Sequence, residues 1–262
     1  MRSGRGLVLA GFLAGCASPP TDPPKPPATD APRYDEIWAI ATHNSYWVDR
    51  GVPNDAFASG VGERMVDQLL GDGARSLEID VHRDRDNPGK FLVYHTEPGN
   101  SQCASLADCL AMLRTYHDAL PDHEPTLVVL ELKEVAEANF DASHSFADLD
   151  RELRDGLGGA LYEPSDYLGH CAELGEIDVH LATCAEHVRW PEARALRGKF
   201  IVGVLGNWDV VATATADWAA YASSGVADRA AFPMASSWKL DYPSLSSLVQ
   251  EGALTRDEDG RY

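Results

Sequence analysis

Six residues of this chain are candidates for joint chemistry: His43 and Asn44, then Glu78 and Asp80, then His95 and Glu131, each at the end of a short apolar run. Side chains two apart on a strand share one face. In Leu77-Glu78-Ile79-Asp80-Val81 that face would carry two carboxylates on a mostly apolar strand, where repulsion and lost hydration oppose both charges unless a cation compensates them. Glu131 and Lys133 repeat the spacing. Asn44, Glu78, Asp80 and Glu131 offer hard oxygen donors with no thiolate and no histidine cluster, a donor set that suits calcium better than zinc. His43 and His95 form a proton-transfer pair, because imidazole titrates near neutrality and serves as acid or base. Together these residues point to calcium-assisted phosphodiester chemistry. Lys133 is either a phosphate contact or an ion-pair partner of Glu131. Trp208 and Trp238 line the pocket, meet lipid or pack in the core, and the other histidines (His82, His117, His123, His144, His170, His180, His187) read as surface or loop residues.

Positioning these groups requires several strand ends to converge. Apolar, β-rich runs at 37–42, 75–81, 91–95, 126–132, 199–205 and 231–236 read as strands. Helical patterns at 61–71, 105–119, 145–157 and 191–197 separate most of them, and Ser145 with Asp148 forms a capping-box variant. This order is that of an α/β protein with parallel strands, and in a barrel of that kind the working residues sit at the C-terminal strand ends. The segment 158–190 reads as irregular. A short helix at 246–251 and a seventh strand at 253–256 leave a closed eight-stranded barrel one strand short, so the expected fold is a distorted (β/α) barrel, incomplete at its C-terminus.

The remainder of the chain concerns delivery. Arg2 and Arg5 precede an apolar stretch, Leu7 to Ala14, far shorter than the ~20 residues that span a bilayer, so 1–15 reads as an export signal. Leu13-Ala14-Gly15-Cys16 resembles the lipobox of bacterial lipoproteins, which makes Cys16 a lipid-modified membrane tether, and the Pro-rich stretch 16–32 a semi-rigid spacer. Residues 33–262 then form one catalytic domain. The other four cysteines, in an exported chain, favour two disulfides; Cys103 with Cys109 and Cys171 with Cys184 is the most local of three pairings. His170 and His187 flank the second pair but fit no zinc motif well. The balance of 22 basic against 41 acidic side chains gives −19, a surface that repels nucleic acid and anionic bilayers. An anionic lipid substrate would need the tether for local concentration and a divalent cation to reverse the potential in the site.

Several ordered motifs carry a family resemblance. Ala41-Thr42-His43-Asn44-Ser45-Tyr46, Gly73-Ala74-Arg75-Ser76-Leu77-Glu78-Ile79-Asp80, Val93-Tyr94-His95, Val129-Leu130-Glu131-Leu132-Lys133 and Arg197-Gly198-Lys199-Phe200 resemble the phosphatidylinositol-specific phospholipase C family over about 34 to 205. Asp80 stands where the metal-independent bacterial branch has an arginine, so the chain is similar to the calcium-dependent branch. The resemblance implies a distorted TIM barrel that cleaves an inositol phospholipid to diacylglycerol and an inositol cyclic phosphate, with the inositol 2-hydroxyl attacking phosphorus. It implies His95 as the acid that protonates the glycerol oxygen, and His43 either as the base or as a hydrogen-bond donor to the phosphoryl oxygen, with Glu78 or Asp80 as the alternative base. Cys103 and Cys109 are similar to paired cysteines of its secreted bacterial members. The chain barely reaches the last barrel strands, which hold the inositol ring in that family. Glycerophosphodiester phosphodiesterases and sphingomyelinase D enzymes are the nearest enzymatic alternative, but they open with His-Arg-Gly where this chain has His43-Asn44-Ser45. A tethered, non-catalytic lipid-binding module is the alternative of a different class. The expected partners are a phospholipid substrate and the membrane, with the chain acting as a monomer and not binding nucleic acid.

Overall fold

Every second residue of the longest central strands is apolar and meets a helix, and this alternation organises the sheet. The computed structural model describes residues 31–52, 62–133, 138–173, 181, 184, 189–206, 212–225 and 228–234. The leader, Cys16, nearly all of the Pro-rich spacer, His180, His187, Trp208, Trp238 and the elements expected at 246–251 and 253–256 lie outside the described residues. Among the described residues there are seven strands: β1 (Ile40–Thr42), β2 (Ala74–Arg83), β3 (Phe91–Val93), β4 (Thr126–Leu132), β5 (Leu161–Tyr162), β6 (Phe200–Gly206) and β7 (Phe232–Pro233). The helices are α1 (Met65–Leu70), α2 (Leu106–Ala119), α3 (Phe146–Leu157), α4 (Pro164–Glu173) and α5 (Ala212–Ser223).

Strands β1, β2, β4 and β6 run parallel in that order, and the short β5 and β7 pair with β6 at Phe200–Ile201 and Gly203–Val204. Leu77, Ile79, Val81, Val128, Leu130, Leu132, Val202 and Val204 face the helices and are completely buried. Ser76, Glu78, Leu127, Val129 and Leu205 lie on the opposite face and are only partly covered. Among the described residues the sheet is therefore an open (β/α) barrel, packed tight outside and accessible within.

Local chemistry sets the helix starts. Ser105 and Ser145 each accept the backbone N–H three residues on, at 3.2 Å, while Asp108 and Asp148 reach back to the serine N–H at 3.2 and 2.7 Å. Two orphan N–H groups are satisfied at each helix start. Two disulfides, Cys103–Cys109 and Cys171–Cys184, span Cα distances of 5.2 and 6.0 Å, the local pairing among the three open ones.

Several sequence expectations need correction. The strand expected at 37–42 is confined to its last three residues, and 91–95 ends at Val93. That strand is not a parallel barrel strand: β3 runs antiparallel to β2, with Val81 opposite Val93. The seven residues joining β2 and β3 close on themselves through Asp84 N–H to the Lys90 carbonyl at 2.8 Å, and a parallel crossover needs a dozen or more. The segment 191–197 forms only a 3-10 turn at Ala193–Leu196, and the supposedly irregular 158–190 contains β5 and α4. Helix α5 was not anticipated, because its alanine-rich sequence lacks a strong apolar stripe. His82 lies inside β2 and is buried, neither surface nor loop, while His123 and His144 are loop residues whose rings are buried on polar partners.

The chain enters β6 through Gly198, which has φ +74° and donates its N–H to the His123 carbonyl at 2.7 Å. A Cβ there would lie 2.2 Å from the Pro121 carbonyl oxygen, a backbone atom that cannot swing aside. Gly198→Ala therefore combines a left-handed penalty with a clash and should cost roughly 2 kcal/mol or more. The thermal midpoint should fall by about 5 °C or more; an unchanged midpoint would show that this loop relaxes freely.

Candidate active site

The turn after β1 is stitched onto β2 at the residue that carries the first carboxylate. Ser45 Oγ accepts the Glu78 backbone N–H at 2.8 Å, and the Ser45 N–H donates to the Glu78 carbonyl at 3.0 Å. Beneath it the buried Gln68 of α1 accepts from Thr42 Oγ1 at 2.7 Å and donates to the Ser45 carbonyl at 2.8 Å. This clamp leaves Asn44 with φ +48°, a left-handed conformation that asparagine tolerates better than most residues. The bend turns the Asn44 N–H toward Glu78 Oε2, at 2.9 Å, and places His43 Nε2 3.4 Å from the same oxygen. Ala41, Thr42, His43, Ser76, Glu78 and Val129 line a cleft of about 250 Å³.

Register brings the carboxylates together. Asp80 pairs with Glu131 across β2 and β4, and Glu78 lies two residues earlier on the same face. One oxygen from each of Glu78, Asp80 and Glu131 falls within a 4.8 Å cluster able to hold a metal ion. Asp80 is completely buried, and its Oδ1 accepts no hydrogen bond from the described residues. Its Oδ2 accepts from the Tyr46 hydroxyl at 2.8 Å, and that hydroxyl also lies 3.3 Å from Asn44 Oδ1. Lys133, just past β4, sets its ammonium 3.6 Å from Asp80 Oδ2 and 3.4 Å from Glu131 Oε1. The ion pair with Glu131 is present and is shared with Asp80.

His95 reaches this end of the sheet by another route. The antiparallel register runs the chain from Val93 back toward Asp80, and the carbonyls of Tyr94 and His95 lie 3.0 and 3.3 Å from His82 Nε2. Two facing carbonyls require the proton on that nitrogen. The His82 ring also stacks on Tyr94 at 3.7 Å. Burial lowers His82 to about 4, so it remains a neutral donor that fixes the segment bearing His95.

The structure thus brings Asn44, Glu78, Asp80, Glu131 and Lys133 into one cluster, with His43 at its mouth and His95 at the same strand ends. Cys16 lies outside the described residues. Sequence reasoning missed the supporting roles of Ser45, Tyr46, Gln68 and His82. Tyr46 and Ser45 sat inside the first motif, but nothing in their type told which carboxylate they would serve.

The cluster is electrostatically unfavourable without a cation. Burial, a hydrogen bond shared with Glu131 and the Asp80 charge push Glu78 up to about 8, against the Asn44 N–H. Burial pushes Asp80 up to about 7, opposed by Lys133 and Tyr46 and reinforced by Glu131. Burial alone would lower Lys133, yet Asp80, Glu131 and Glu78 together raise it. A carboxyl raised in the folded state contributes stability that is full below its unfolded pKa and lost as pH rises through the folded value. His82 acts in the opposite sense, but its contribution is complete above about 6.5. Between about pH 6.5 and 9 the melting temperature in chelator should fall as pH rises, and a divalent cation should flatten the curve. A level curve in chelator across that range would refute the account of uncompensated charge.

No family model matches the chain, and no curated protein matches it by sequence. Solved structures do match. A calcium-dependent phosphoinositol-specific phospholipase C from a Gram-negative bacterium, Pseudomonas sp, in a myoinositol complex, superposes with a TM-score of 0.60 at 21% identity, covering 78% of this chain and 66% of that one. Another crystal form of it gives 0.59 at 22% identity, covering 79% and 68%. The Ca2+-dependent phosphatidylinositol-specific phospholipase C of Streptomyces antibioticus gives 0.56 at 22% identity, covering 80% and 71%. The chain spans about two thirds of the length of the Pseudomonas protein. With its parallel strands, its helix-packed outer face and a carboxylate cluster at the strand ends, this chain has the fold of the bacterial calcium-dependent phosphatidylinositol-specific phospholipases C.

Proposed function

We propose that this chain is a calcium-dependent phosphodiesterase of the phospholipase C type. It acts on the headgroup phosphodiester of phosphatidylinositol-type lipids, releasing diacylglycerol and an inositol cyclic phosphate. The observation that carries this reading is the convergence of one oxygen each from Glu78, Asp80 and Glu131 within 4.8 Å, with His43 Nε2 3.4 Å from Glu78.

The donor set suits a hard cation: three carboxylates, the Asn44 amide oxygen beside them, and a buried Asp80 Oδ1 that accepts no hydrogen bond from the described residues. Asn44, Glu78, Asp80 and Glu131 would hold calcium, which when bound acidifies an attacking hydroxyl and neutralises charge on a phosphoryl group. The residues of the chain do the rest. His43, held against Glu78 at 3.4 Å, forms with it the pair that takes the proton of the inositol 2-hydroxyl. As that oxygen bonds to phosphorus, the phosphorus–glycerol oxygen bond breaks, and His95 gives its proton to the departing oxygen. His82 keeps the His95 segment in place through the Tyr94 and His95 carbonyls.

Turnover of phosphatidylinositol should disappear in EGTA. His95→Ala should lower it by about a hundredfold to ten-thousandfold, the range of general acid catalysis. A nitrophenyl inositol phosphate, whose leaving group needs little protonation, should lose far less. Turnover indifferent to EGTA would overturn the calcium reading, and equal losses on both substrates would overturn the role of His95.

The two disulfides support an exported protein. On this reading Cys16 carries the lipid that holds the enzyme at a membrane, where its acidic surface would not take it unaided. Cys16→Ser should release the protein from membranes, and the mature N-terminus should carry acyl mass. An unmodified Cys16 in the mature protein would contradict the tether.

A further inference from the structure

Lys133 stands in a place that a cation-binding protein has reason to avoid. Its ammonium lies 3.4 Å from Glu131 Oε1 and 3.6 Å from Asp80 Oδ2, and those residues supply two of the three converging oxygens. The side chain of Lys133 is 13% exposed, and those of Asp80 and Glu131 are 0% and 1% exposed. Water therefore screens little of their interaction. The root of the residue is fixed, since the Lys133 N–H donates to the Val81 carbonyl at 3.1 Å, extending the β2–β4 ladder. Its head group is a compact ammonium on a flexible four-carbon stem, where arginine would carry a planar guanidinium fork.

One ammonium cannot neutralise three carboxylates once all are ionised, and Asp80 Oδ1 accepts no hydrogen bond from the described residues. A divalent ion gathered by the same carboxylates would meet the ammonium as a like charge in a poorly hydrated space, at a substantial Coulombic cost. The lysine stabilises the metal-free cluster and opposes its loading. We propose that Lys133 is an internal counter-ion of the cation site: its ammonium holds Asp80 and Glu131 in the metal-free protein, competes with calcium for them, and on loading turns to the anionic phosphodiester of the substrate. This inference rests on the reading of Glu78, Asp80 and Glu131 as a cation site. It has a consequence that ordinary structural support lacks, because removing the charge should weaken the metal-free protein and strengthen metal binding together.

The test compares wild type, Lys133→Met and Lys133→Arg by melting in EGTA and by calorimetric titration with calcium at about pH 9, where proton competition for the carboxylates is smallest. Lys133→Met should melt below wild type in EGTA yet bind calcium about tenfold tighter, while Lys133→Arg, which keeps the charge, should stay within about threefold of wild type. In saturating calcium Lys133→Met should also raise KM for a soluble inositol phosphodiester. If Lys133→Met does not fold in EGTA, Lys133→Gln provides the same comparison. Wild-type protein that binds calcium while the neutral variants bind it equally or more weakly would overturn the counter-ion role alone. Wild-type protein that binds no calcium would overturn both this inference and the reading beneath it.

Discussion

Three carboxylates share one face of a parallel sheet, two of them almost fully buried, and the surroundings are arranged to meet that burden. The Coulomb problem is intrinsic to the register: Asp80 is opposite Glu131, and Glu78 is one pleat away. Lys133 offers one positive charge, Tyr46 one hydroxyl and Asn44 one backbone N–H. These compensate in part, and Asp80 and Glu78 are still pushed toward protonation. A site that is incompletely neutralised in this way is poised to take up a divalent ion, since ionised carboxylates become favourable only when the ion is present.

The outer face of the sheet makes that arrangement sustainable. Its residues are completely buried against the helices, so the strands are held by packing that does not depend on what occupies the inner face. The turn bearing His43 and Asn44 is anchored by Ser45 to the backbone of β2 and by Gln68 to α1, and the segment bearing His95 by a neutral His82. The turn with His43 and Asn44 and the segment with His95 are thus each held by a polar clamp from a neighbouring residue. Ser45 and His82 show why such a motif is longer than its candidate chemical groups: the neighbours fix the backbone direction of the residues beside them.

The sequence errors have separate physical origins. Strand β3 has the composition of any barrel strand, and only the seven-residue connection, too short for a crossover, reveals it as the return of a hairpin. His82 continues the alternation of Glu78 and Asp80 and reads as one more polar residue. The carbonyls that make it a buried donor come from a segment twelve residues on. The segment 158–190 hides α4 and β5 because its glycines and short runs dilute the period.

By itself the sequence determined the class of the fold and which acidic side chains share a face. The two-residue spacing in Glu78-Ile79-Asp80 and Glu131-Leu132-Lys133 dictates shared faces on any strand, and apolar runs alternating with helical periods dictate parallel pairing. It also narrowed the cysteines to three pairings, among which the fold selected the local one. Only the tertiary structure decided which strands are neighbours, and hence that Asp80 faces Glu131, that Lys133 serves both, and that Tyr46 reaches Asp80. Those facts depend on register between strands some fifty residues apart. The packing of whole helices against the sheet sets that register, and no local spacing records it.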